Sequence, residues 1–168
     1  FFDRSGSFLG TYRPPTVPAV TTTPSFSSDG WMYWSTQGRN PAGLVTRVRP
    51  PSSDRYPLFG ELEGEPSPAL WLGLGKQQAR DREVPEPMRN FVSVIPGESG
   101  AVFLTHTVLP VVQKLDPAGE RVWRCEIEDP VFEEILEETF RTVLEMEGQR
   151  GAMPQFWRGG FPDGEGGC

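Results

Sequence analysis

The chain has 168 residues, with 23 acidic against 16 basic side chains and a formal net charge of -7. That balance speaks against a general nucleic-acid or anionic-membrane surface, and no run of about 18 apolar residues exists to span a bilayer. The 19 Gly and 18 Pro argue for many turns and against a helical protein, while 11 Phe and 5 Trp hold the composition away from disorder.

Residues 1–12, FFDRSGSFLGTY, read as a hairpin about an Asp3-Arg4-Ser5-Gly6 turn. Phe1 in place of Met, opening in mid-strand, predicts a cut N-terminus. Residues 13–18 are a Pro-rich connection, 19–26 a Thr-rich strand, 27–30 a turn and 31–37 (WMYWSTQ) an apolar strand. A loop over 38–43 leads to a strand over 44–49. Residues 57–89 read as an insertion, with Trp71-Leu72-Gly73-Leu74 as a candidate strand and 76–87 as a charged, Pro-bearing linker.

The stretch 101–127, AVFLTHTVLPVVQKLDPAGERVWRCEI, is the clearest β signal. Apolar residues alternate with period two on each side of Pro110, and Asp116-Pro117-Ala118-Gly119 supplies a turn in which Pro presets φ and Gly takes the positive-φ position. With a strand over 91–95, it predicts a four-stranded meander. Residues 129–147 change period: Asp129 suits an N-cap and Pro130 the first helical position. Phe132, Ile135, Leu136, Phe140, Val143 and Leu144 then recur at helical spacing, opposite Glu133, Glu134, Glu137 and Glu138. The tail 148–168 is Gly-rich. Cys125 reads as a small core hydrophobe, and Cys168 lies in that tail.

The order strand, Gly-containing turn, apolar strand, break, strand, polar turn occurs over 19–56 and again over 90–127. FFDRSGSFLGTY, SSDGWMYW with LVTRVRP, and ESGAVFLTHT with VVQKLDPAGERVW resemble the blade hairpins of NHL-type and TolB-like bacterial six-bladed β-propellers. The resemblance implies an all-β, propeller-like fragment of antiparallel four-stranded blades with one amphipathic helix. Its parts would be a blade end at 1–12, a blade at 19–75 with the insertion, a blade at 90–128, the helix at 130–147, and a tail or the start of a further blade at 148–168. A closed six-bladed propeller needs about 240 residues, so this chain would be a piece of one. Related propellers are commonly extracytoplasmic, which implies a periplasmic or extracellular location.

His106 is the only histidine. It reads as a metal ligand, a general base or a satisfied core residue; without a second His or a carboxylate at ligand spacing, the core reading is preferred. Asp3, Asp29, Asp54 and Asp116 sit where Asp bonds its own turn, which outweighs calcium binding. Trp31, Tyr33, Trp34, Trp71 and Trp123 fit inter-sheet packing better than a ligand-stacking platform. No Ser lies in Gly-x-Ser-x-Gly, and no catalytic residue, metal ligand or cofactor is assigned.

The resulting expectation is a non-catalytic binding or interaction module of a propeller protein. Loops 38–43 and 107–111 would share one rim, and Arg39, Asn40 and His106 would face an unknown protein or small ligand, not nucleic acid. The alternative is a propeller-type hydrolase or lactonase whose metal site lies in missing blades.

Overall fold

The computed structural model describes residues 5–8, 10–11, 24–36, 40–49, 58–66 and 74–147. Two antiparallel sheets are found there. The first has three strands in the order β1 (Ser25–Phe26), β2 (Met32–Ser35) and β3 (Val45–Val48). The second is a meander of β4 (Val92–Pro96), β5 (Val102–His106), β6 (Val111–Leu115) and β7 (Arg121–Glu126). Three α-helices join them: α1 (Lys76–Asp81), α2 (Glu86–Arg89) and α3 (Pro130–Glu145).

The all-β expectation is therefore corrected. The described residues form a mixed α/β arrangement of a three- and a four-stranded sheet with helices, and no closed propeller. The linker expected over 76–87 holds α1 and the start of α2. Gln77 donates to the Asp81 carboxylate one turn on, while Ala79 and Met88 enter the core, and this burial fixes segments too short to show a period. The expectations for 12–23, Trp71 and 148–168 lie outside the described residues.

Within the meander, alternation assigns the faces. Val92 and Val94, Val102 and Leu104, and Val111 and Leu115 are buried on one side, and His106 and Gln113 share that side. Tyr33, Leu44 and Val45 of the first sheet cover it, forming one core with Val92, Val94, Val102, Leu104 and Leu115. Leu44, Leu104 and Leu115 are fully enclosed, each contributing roughly 1.5–3 kcal/mol of transfer free energy. The opposite face is half-buried; there the Phe103 and Trp123 rings meet at 6.0 Å, and Lys114 lies 5.5 Å over Phe103.

Residues 58–66 run as a strap between the two sheets. Phe59 forms an antiparallel bridge with Val45, its ring edge meets Tyr33 at 6.4 Å, and Arg47 stacks over it at 5.6 Å. The β6–β7 turn presses on the same residue. Asp116 accepts from the amides of Ala118 and Glu120, and Gly119 takes φ +93°, where a Cβ would come within 2.5 Å of the Phe59 Cβ. Only a glycine meets both demands.

A second core forms under α3, where Phe140 and Val143 pack with Leu74, Ala79, Met88 and Val108. Asp129 caps this helix by accepting from the Val131 amide at 3.0 Å, and Pro130 opens it, as the spacing predicts. Leu144 departs from the expected apolar stripe. It is 42% exposed.

Candidate functional site

Two places concentrate polar chemistry: a buried cluster around His106 and an open groove between α1 and α3. His106 sits at the end of β5 with no exposed surface, paired in register with Val92. Its Nδ1 lies 2.7 Å from the Arg89 carbonyl, and its Nε2 lies 3.0 Å from the Gln113 Nε2. A carbonyl can only accept and an amide nitrogen can only donate, so Nδ1 carries the hydrogen and Nε2 accepts. Burial pushes the imidazole below its ordinary pKa; the Arg89 carbonyl bond and the Glu63 charge pull upward without offsetting it. The ring is neutral, and both nitrogens are occupied.

The same Gln113 amide group donates to Glu63 Oε1 at 2.7 Å. Arg124 on β7 closes the cluster with a fork, Nε to Glu63 Oε1 at 2.9 Å and Nη2 to Oε2 at 3.2 Å, and it reaches Glu126 with Nη1 at 3.0 Å. Burial works to raise the Glu63 pKa, but the Arg124 bond and charge, aided by Arg121, hold it below the usual carboxylate value. Those bonds to Glu63 in turn hold Arg124 above the ordinary guanidinium value. The strap is fastened further by Glu61 on Arg121 at 2.8 Å. Buried Asn90 accepts from the Glu63 amide at 2.8 Å and donates to the Glu65 carbonyl at 3.0 Å. In chemical terms the cluster is a clasp holding the strap to the meander, with its imidazole turned inward.

Of the residues expected at one rim, Asn40 and His106 are among the described ones. Asn40 spends its side chain on its own turn, accepting from the Ala42 amide at 3.0 Å. His106 lies inside the β5 strand, and Arg39 falls outside the described residues. Tyr33 and Trp34 are buried, Trp31 lies under Arg47 at 4.8 Å, and Trp123 is half-buried against Phe103. Cys125, expected as a small core hydrophobe, is half-buried and disulfide-bonded. Among the described residues, no group of three or more His, Cys, Asp or Glu could hold a metal ion.

The groove was not foreseen from the sequence. It encloses about 630 Å³ and is floored by Ala79, Phe140 and the exposed Leu144. Arg82, at the left-handed C-cap of α1, reaches across to Glu137 at 2.9 Å, and Arg141 pairs with Glu138 on α3 itself. Glu134 and Glu145 line the groove without an ion pair among the described residues. The only advance signal was the glutamate run on α3, which read as a solvated face.

Fold and site together define a two-sheet α/β protein with an internal polar clasp and an open acidic groove. No family model, curated protein or solved structure matches the chain. No helix among the described residues is long and apolar enough to cross a membrane.

Proposed function

We propose that the chain is a non-catalytic interaction module whose partner is a protein segment lying in the α1–α3 groove. One observation carries this reading: Leu144, an aliphatic side chain 42% exposed, forms the floor of a concave surface with charged walls. An apolar floor inside a polar rim is the usual anatomy of a recognition surface. His106 does not support a catalytic reading, because it is enclosed with both nitrogens engaged and reaches no substrate.

The test is selection of helical peptides from a displayed library on the immobilised chain, with counter-selection on Leu144→Asp. Peptides that bind the native chain and lose binding to this variant are the expected result. Turnover of ester, lactone or phosphate substrates by the purified chain, abolished in His106→Asn, would overturn the reading.

A further inference from the structure

Resting on that reading, we infer that the partner of the α1–α3 groove is a basic amphipathic helix, held by one aliphatic anchor over Leu144 and by cations at both ends. Three independent observations select the charge and shape of this occupant. The first is pairing: Arg82 and Arg141 pair with Glu137 and Glu138, so among the described residues the groove-lining charges without an ion pair are the carboxylates of Glu134 and Glu145. The second is the polarity of α3. Its last turn carries no basic residue and ends in Glu145, which places a carboxylate beside the negative end of the helix dipole. A helix C-terminus prefers a cation, and an incoming Lys or Arg would supply the charge that this helix lacks.

The third observation is length. Glu134 and Glu145 are eleven residues apart on one helix, about 16 Å along its axis at 1.5 Å per residue. A partner helix running beside α3 at a shallow crossing angle would place two basic residues three turns apart against them. Between these, Leu144, Phe140 and Ala79 offer an apolar strip for a single aliphatic side chain. Neither a small anion nor an acidic peptide matches that wall. The chain's net charge of -7 would speed the approach of such a partner.

The test is an amide NMR titration of the isotope-labelled full chain with three synthetic peptides at up to about 1 mM, where even millimolar affinity gives visible shifts. One is a Lys/Leu amphipathic helix, the second has Glu at every Lys position, and the third is a scramble of the first without an apolar face. The expected result is that the first peptide alone shifts residues 76–82 and 134–145. Glu134→Lys/Glu145→Lys, on exposed sites, should weaken it about tenfold and admit the acidic peptide. Equal binding of the acidic or the scrambled peptide at these residues overturns the basic-helix inference and leaves the groove as the partner site. Shifts elsewhere, or none with any of the three, overturn both.

Discussion

Replacing Gln113 with Leu tests the clasp directly. Gln113 is fully buried, and its amide group donates at 3.0 Å to His106 and at 2.7 Å to Glu63. Removing it strands the imidazole Nε2 without a donor, a cost of about 1–3 kcal/mol, and takes one bond from a carboxylate that keeps Arg124. The change also removes Gln113 Oε1, a buried oxygen with no partner among the described residues, which returns part of the loss. The net expectation for Gln113→Leu is destabilisation of about 1–3 kcal/mol, or roughly 3–10 °C in Tm for a chain of this size. Urea unfolding followed by tryptophan fluorescence at neutral pH measures it, given an unchanged m-value. His106→Leu/Gln113→Leu closes a double-mutant cycle. With donor and acceptor both replaced, the pair should cost at least about 1 kcal/mol less than the sum of the single changes. A stable Gln113→Leu protein, or strict additivity, would refute the assignment of Nε2 as an acceptor tied to Gln113.

The clasp also sets a pH dependence. His106 lies below its ordinary 6.5 in the folded chain, so the unfolded chain takes up the proton first; stability is full above 6.5 and is lost as pH falls through the folded value. Glu63 adds a second loss, beginning below 4.5 and continuing through its own depressed value. Thermal melts across this range should show both stages, and His106→Asn should flatten the first; a profile with no decline below 6.5 would contradict the neutral buried ring. Gly119→Ala should destabilise by more than about 1 kcal/mol, since it meets both a positive φ and the Phe59 side chain; equal unfolding midpoints would show that the strap moves aside freely. Asp129→Ala should cost about 0.5–2 kcal/mol through the lost cap of α3, while Asp129→Asn keeps most of it; circular dichroism melts compare the two.

The meander and the long helix were legible because their signals are local. The strand expected over 91–95 is found at Val92–Pro96, the Asp116 turn forms as its chemistry dictates, and the helix of 129–147 runs from Pro130 to Glu145. What failed was the step from hairpins to architecture. A strand–turn–strand pattern fixes a sheet without fixing how two sheets meet, so 19–56 and 90–127 looked like blades of one propeller. The helices α1 and α2 have six and four residues, too few for a period to emerge. Glu63 went unnoticed because its partner Arg124 lies 61 residues away, and nothing near either residue announces the other. Leu144 has helical spacing with Phe140, yet Phe140 is buried and Leu144 is exposed, a difference that the spacing alone does not carry.

The unequal sequence span of the two sheets bears on synthesis. Each strand of the second sheet pairs with its neighbour in sequence, so that sheet can close as soon as it leaves the ribosome. Tyr33, Leu44 and Val45 emerge earlier and share their core with residues made up to Leu115. At about 5–20 residues per second, the first half waits several seconds with its apolar side uncovered. Translation that stalls between Val48 and Val92 would lengthen that wait, and chaperone capture should concentrate on this window.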